Sequence, residues 1–314
     1  MFSWFSGVML ISIVSVVLQQ LRQFSYWHGK LFGVLLTLFM ASDAAATEPN
    51  TSAINIVYYP GAPRQEYSTD LLQLALSYPC QHYFQLQASN LDLPKGRAFD
   101  LMNAGQGIDV MFGSASLERI KQYRAVPFPI MRGLMGLRVA LVSKEGKNKL
   151  QHLYSLSALA KLRVGQFTTW SDTEILRANN FNVETGSDVD GLYQMLALRR
   201  IDYFPRSVLE VQQNQQQYAQ LQLEIDPHIL LYYPTAVYFY VAKDNTALAD
   251  TLLCGLEQAQ KDGQLDSLFN QYYGGLLQQL QIDKRRIFKL QNPLLPDNVP
   301  LQRPELWYPL LLSK

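Results

Sequence analysis

From Ile54 onward the chain alternates short apolar runs with amphipathic stretches. Ile54 to Tyr59 (INIVYY) predicts a strand, closed by Pro60-Gly61. STDLLQLALSYP then sets Leu71, Leu74, Ala75 and Tyr78 on one helical face and stops at Pro79. Tyr83 to Ala88 is a second strand, GRAFDLMNAG a short helix ending at Gly105, and IDVMFGSAS a third strand that runs into a small-residue loop. VPFPIMRGLMG breaks the pattern with two prolines and two glycines before a new strand, LRVALVS.

A second cycle follows. KLRVGQF is a strand, and TTWSDTEILRANN a helix with a Thr or Ser cap and an Asp in its first turn. FNVETG is a short strand, and SDVDGLYQMLALRR a helix aligning Leu192, Met195 and Leu196. IDYF reads as a buried strand that Pro205 stops, leaving Arg206 and Ser207 where a strand end would open onto a cleft. VLEVQQNQQQYAQL is a polar surface helix, AVYFYVAKDN an aromatic strand after a break at Pro234, and TALADTLLCGLEQAQKDG a helix closed by Gly263. Strands alternating with helices imply βαβ units and a mostly parallel sheet, hence an α/β fold.

The first 46 residues fall outside this pattern. Gly7 to Leu18 is apolar but shorter than the roughly 20 residues of a membrane span. A second apolar run, Leu31 to Ala41, follows Arg22, His28 and Lys30 and leads to Ala44-x-Ala46. That is a secretory signal peptide cut after Ala46, with translation starting between the two runs. The alternative is an N-terminal anchor at Gly7 to Leu18. The mature chain would be 314 − 46 = 268 residues, exported to the periplasm.

Composition adds exclusions. A formal charge of +1, with 17% charged and 48% hydrophobic residues, argues for globular domains and against a nucleic-acid partner. Cys80 and Cys254 are the only cysteines. They could bridge in an exported protein; two separate buried thiols are the plainer expectation. The four histidines are scattered, no metal-ligand spacing occurs, and no cofactor motif is present.

Taken in order, several segments resemble a known family. GIDVMFGSASLER, LSALAKLRVGQFTTW, LALRRIDYF and the closing YPTAVYFYVAKDNTALADTLLCGLEQAQKDGQLDSLFNQYY are similar to segments of type 2 periplasmic solute-binding proteins, in the group of polar amino-acid binders of ABC transporters. The resemblance spans roughly Ile54 to Tyr273. It implies two α/β lobes, residues 47–130 with 236–314 and residues 131–235. Hinges fall near Phe128–Arg132 and Tyr233–Ala236, and the ligand sits between the lobes.

Carried over by position, the resemblance nominates site residues. Arg119 takes the place of a carboxylate-binding arginine, with Ser114 and Ser116 in the loop before it and Arg124 or Arg132 as substitutes. A surface arginine paired with Glu118 is the alternative. Thr168, Thr169 and Trp170 match the ligand loop of the second lobe, or cap its helix. Tyr58 and Tyr59 match an aromatic wall, or belong to the core. Ser207 stands where the amino-acid binders carry an aspartate for the ligand ammonium, and Arg206 precedes it. If Arg206 reaches the cleft, an ammonium would meet a like charge, which favours an anionic or other polar solute. Otherwise Arg206 turns outward to Glu210 at i+4.

The expected function is capture of a small polar or anionic solute by a monomer that serves an inner-membrane permease or sensor. An exported enzyme on the same fold is disfavoured by the lack of a Ser-His-Asp order or paired carboxylates, with Glu118 and Glu174 unmarked as acids. An interaction module is the third class, suggested by the tail NPLLPDNVPLQRPELWYPLLL. That tail could equally wrap the first lobe through Leu306, Trp307 and Tyr308, which is the preferred expectation.

Overall fold

The computed structural model describes residues 51–57, 63–89, 91 and 93–311, with side chains from residue 66 onward. The expected signal peptide and Tyr58 and Tyr59 lie outside the described residues. The first half contains β1 (Thr51–Val57), α1 (Pro63–Leu76), β2 (Tyr83–Ser89), α2 (Lys95–Asn103), β3 (Met111–Ser114), α3 (Leu117–Gln122) and β4 (Arg124–Val126). β1 and β2 pair in parallel from Thr51–Tyr83 to Val57–Ser89. The α2 helix buries Ala98, Phe99 and Met102, the apolar face of GRAFDLM, and Gly105 follows it at a φ of 66° that suits glycine.

A crossing over residues 127–136 leads to β5 (Leu137–Ser143). Then come α4 (Leu156–Ala160), β6 (Arg163–Phe167), α5 (Ser171–Ala178), β7 (Asn182–Gly186), α6 (Val189–Ala197), β8 (Phe204–Ser207), α7 (Val211–Gln217) and β9 (Leu223–Tyr232). A second crossing, 233–236, returns the chain to β10 (Val237–Val241), α8 (Thr246–Lys261), α9 (Gln264–Gln279) and β11 (Arg286–Lys289). The molecule is thus a two-lobed α/β fold, with two crossings where the Pro/Gly interruptions fall. They meet at Gly136 and Tyr233. Tyr233 N–H donates to Gly136 O at 3.2 Å. A Cβ on Gly136 would lie 1.9 Å from the Tyr233 carbonyl oxygen, so only glycine fits.

The sheets are mixed rather than mostly parallel. β10 lies between β3 and β4 and is antiparallel to both. In the second sheet β5 is antiparallel to β8 and β9, whereas β9 with β11 and β6 with β7 are parallel. A bridge between Val164 and Tyr203 joins β6 to β8, giving the order β7-β6-β8-β5-β9-β11. The strands beside the crossings, β5 and β10, run against their neighbours, which the alternation of strands and helices alone does not reveal.

The strand expected at IDYF is displaced. β8 is FPRS, and Pro205 lies inside it opposite Ala140. Tyr203 O accepts from Gly165 N–H, so alternate residues 203 and 205 turn their backbone groups toward β6. Pairing with β6 ends at Tyr203, and the N–H that Pro205 lacks therefore breaks no ladder bond.

Cys80 and Cys254 form a disulfide, which corrects the expectation of two separate thiols. The cause is the packing of α1 on α8. A Cβ on Gly255 would lie 1.9 Å from Ala75 O, so the helices approach with no side chain between them and carry the two cysteines together.

One apolar cluster runs from α1, α8 and α9 through Phe128, Ile130, Met131 and Leu134 of the first crossing to Leu192, Leu196 and Phe204 in the second lobe. A smaller cluster fills the other face of the second sheet around Val142, Val164, Ile175 and Tyr203. The tail wraps as expected, with Leu306 and Trp307 buried in the larger cluster and Tyr308 packed against it. β11, by contrast, adds to the second sheet although it lies in a stretch expected in the first lobe. None of the helices among the described residues is long and apolar enough to cross a membrane.

Candidate functional site

The second sheet carries an arginine among the apolar residues of β5, Arg138 near the start of LRVALVS. A buried cation needs a partner. Arg138 Nε donates to Asp172 Oδ1 at 2.6 Å, and Nη1 to Met135 O at 2.7 Å. The Tyr233 hydroxyl, from the second crossing, donates to the same Asp172 oxygen. The Arg138 guanidinium lies 5.2 Å from the Tyr233 ring centroid. Burial pushes the Asp172 carboxyl up, but Arg138 and the Tyr233 hydroxyl outweigh it and hold the group below the usual carboxylate range. Burial also works against the charge of Arg138, and Tyr233 and Asp172 overcome it.

Arg206 forms the second pair. It is buried, with 8% of its surface exposed. Nε donates to Asn214 Oδ1 at 2.8 Å and Nη2 to Glu210 Oε2 at 3.0 Å. Its guanidinium lies 4.7 Å from the Trp170 ring centroid and 5.1 Å from that of Phe204. Trp170 and Phe204 are themselves stacked, at 16° between planes. Arg206 therefore makes the i+4 pair with Glu210 and still faces the interior, where indole and carboxylate hold it together.

The two pairs line one cavity of about 270 Å³, bounded by Met135, Arg138, Trp170, Asp172, Pro205, Arg206, Ser207 and Glu210. Two guanidinium groups and two carboxylates make its formal charge zero. Arg206, read from the sequence as a lone cation beside Ser207, thus stands with two carboxylates and a second arginine. Glu210, one turn beyond Arg206, and Asp172 from α5 are the two acids at this wall. Arg138 and Asp172 were not among the residues singled out from the sequence. An arginine amid LRVALVS was the available signal.

The remaining nominated residues scatter. Ser207 borders the cavity, and its hydroxyl accepts from Leu209 N–H at 3.3 Å. Thr168 Oγ1 donates to Gly186 O at 2.9 Å, and Thr169 is exposed. Neither threonine caps α5, whose N-cap is Trp170. Thr168, Thr169 and Trp170 instead line a second, more open cavity of about 490 Å³ with Ser171, Thr173, Glu174, Arg177 and Leu294. Trp170 thus separates two concave surfaces.

In the first lobe, Arg119 Nη1 donates to Ser114 O at 2.9 Å and its guanidinium lies 5.4 Å from the Phe99 ring centroid. Ser116 caps α3 by accepting from Arg119 N–H at 3.2 Å. Arg119, Ser114 and Ser116 do not line the cavity of Arg206, so the two arginines expected to close on one ligand are not brought together. Of the substitutes, Arg124 donates to Lys243 O at 3.1 Å and Arg132 pairs with Asp266. Among the described residues no group of three His, Cys, Asp or Glu is placed to hold a metal ion.

No protein-family model matches the chain, and no curated protein does. Solved structures do match, at low identity. The chain is similar to a probable amino-acid ABC transporter extracellular-binding protein from Bacillus subtilis, with 16% identity over 72% of this chain and 98% of the other at a TM-score of 0.49. It is similar also to the second substrate-binding domain of a putative amino-acid ABC transporter from Streptococcus pneumoniae, with 16% identity, coverage of 71% and 98% and a TM-score of 0.47. An ancestral arginine-binding protein bound to arginine matches at 16% identity, 71% and 98% coverage and a TM-score of 0.43.

Proposed function

We propose that this chain is an exported solute-binding protein that captures a small polar solute at the Trp170 cavity and serves an inner-membrane permease or sensor. The observation that carries the reading is the paired constellation Arg138–Asp172 and Arg206–Glu210 beside Trp170 in one cavity. Such a wall offers fixed N–H donors, carboxylate acceptors and an indole ring, each oriented by a partner before any solute arrives. Preorganised groups lose little entropy on binding. Because each cation already has its anion, the cavity suits a solute that brings both donors and acceptors. The Cys80–Cys254 bridge agrees with an oxidising compartment, as expected for a chain with a cleavable N-terminal signal.

Thermal unfolding with a panel of amino acids, dicarboxylates and sugars tests the proposal. A solute at one hundred times its Kd stabilises by about 2.7 kcal/mol, which raises Tm by several degrees. The gain should vanish in Arg138→Ala and fall in Trp170→Leu. If no member of the panel raises Tm, and no solute is released from the denatured protein, the binding reading fails. Turnover of a bound solute would instead make the chain an enzyme.

A further inference from the structure

The tail touches both crossings. After α9 the chain leaves the first lobe, and β11 pairs in parallel with β9 from Arg286–Ile229 to Lys289–Tyr232. Leu290 N–H donates to Tyr232 O at 2.7 Å, one residue before the second crossing. Gln291 and Asn179 exchange bonds of 2.8 and 2.9 Å, and Asn292 Nδ2 donates to Pro234 O, inside that crossing, at 2.8 Å. The tail then returns to the first lobe. Arg303 grips Glu257 of α8 through both oxygens, at 2.5 and 2.8 Å.

At the first crossing the contacts are denser. Tyr308 N–H donates to Arg132 O at 2.9 Å. Arg132 Nη2 donates to Glu305 O at 3.3 Å and Trp307 O at 3.4 Å, while Nη1 pairs with Asp266 of α9. Arg132 takes a φ of 48° and Gly133 one of 83°, so consecutive residues of the crossing are left-handed. A non-glycine residue in that region is held by its surroundings, which here are the tail. A Cβ on Gly133 would lie 2.8 Å from Leu311 Cδ1 and 2.9 Å from Trp307 Cε3. The left-handed turn is thus sealed by Trp307 and Leu311, both buried.

We propose that residues 286–311 are a strap that bridges the two lobes and restrains both crossings together. Two crossings alone could bend as a hinge, with their few residues absorbing the change in backbone angles. Here the same tail pairs with β9, holds Pro234 through Asn292, is fixed to α8 through Arg303 and reaches Arg132 and Gly133 at its far end. Bending at either crossing must strain contacts at the other. The solute-free protein is therefore held near one lobe angle, and loosening the strap anywhere frees both crossings.

Hydrogen–deuterium exchange on the full-length protein without added solute tests the strap. The amides of Leu134, Gly136 and Tyr233, which donate to Met131 O, Gly133 O and Gly136 O, report on the crossings. Trp307→Ala should speed exchange at least about tenfold across residues 133–136, and also at Leu290 and Gln291, whose amides donate to Tyr232 O and Asn179 Oδ1 beside the second crossing. Asn292→Ala removes two side-chain bonds, to Pro234 O and from Leu294 N–H, and no apolar anchor. It should speed the 133–136 amides, which lie at the far end of the strap. Acceleration confined to the crossing nearest each substitution would overturn the proposal. Should Trp307→Ala fail to fold, Asn292→Ala decides alone, since unchanged exchange at 133–136 refutes the strap. Neither readout depends on a solute.

Discussion

Breaking the Cys80–Cys254 bridge is the perturbation whose magnitude the structure defines best. The bond joins residues 174 positions apart, so it closes most of the described chain into a loop. In the chain-entropy account a loop of that length removes about 17 cal/mol/K from the unfolded ensemble, or about 5 kcal/mol at 25 °C. The folded state should lose little in Cys80→Ser/Cys254→Ser, because α1 and α8 still meet at Ala75 and Gly255. With an unfolding entropy of about 2.1 cal/mol/K per residue over about 260 residues, 5 kcal/mol corresponds to a fall in Tm of about 9 °C. Urea unfolding of the two forms gives the stability difference, and calorimetry gives Tm. The denaturant slope should rise in the variant, since its unfolded chain exposes more surface. A fall in Tm below about 2 °C with an unchanged slope would refute the loop-closure reasoning. A larger loss accompanied by altered near-ultraviolet dichroism would place the cost in the α1–α8 packing instead.

Other outcomes follow from single contacts. Gly136→Ala sets a methyl group against the Tyr233 carbonyl and should destabilise by about 3 kcal/mol, read as a lower urea midpoint; a neutral result would mean that the crossings do not pack this closely. Arg206→Ala removes one partner from Glu210 and one from Asn214 and should cost about 1–2 kcal/mol, with Arg206→Lys recovering only part because an ammonium cannot reproduce the fork. The Asp202 carboxyl takes bonds from Arg163 and Lys149 that outweigh its burial and bring it down to about 2. A carboxyl held below its unfolded value adds stability that is complete above about pH 4 and is lost as pH falls toward 2. Asp202→Asn should flatten that part of the stability–pH curve, and an unchanged slope would show that other carboxyls set it.

Much of the fold was legible because its signals are local. The apolar runs LRVALVS, RVGQF and VYFYV became β5, β6 and β10, and the caps and glycines marked helix ends within a few residues. The β8 register was not legible. A proline inside a strand reads as a stop unless the direction of its missing N–H is known, and that direction depends on where β6 stops pairing. The disulfide was hidden for the same kind of reason. Nothing near Cys80 announces that Gly255 will let α8 approach α1 closely enough for a bond.

The cavity is the clearest case of information that local sequence does not carry. Arg206 finds Glu210 four residues on, within reach of a helix-like pattern, and that pair could be anticipated. Arg138 finds Asp172 at 34 residues, and Asp172 also takes the hydroxyl of Tyr233, 61 residues further along. Read alone, Asp172 is an acid that favours the start of α5 through the helix dipole. In the folded protein it does that and also neutralises a buried arginine from another strand. This double duty changes the chemistry inferred for the site. With Arg119 and Arg206 as the ions nominated from the sequence, the cleft reads as cationic and points to an anion. With both pairs in place its charges cancel, and under the proposed function selectivity would come from the geometry of donors and acceptors rather than from net charge. Under that proposal a solute that carries a full charge would compete with Asp172 or Glu210 for its arginine. Glu210 pairs with a side chain whose other bonds go to Asn214, and its own side chain is about one-third exposed against 14% for Asp172. Glu210 is therefore the carboxylate that yields first.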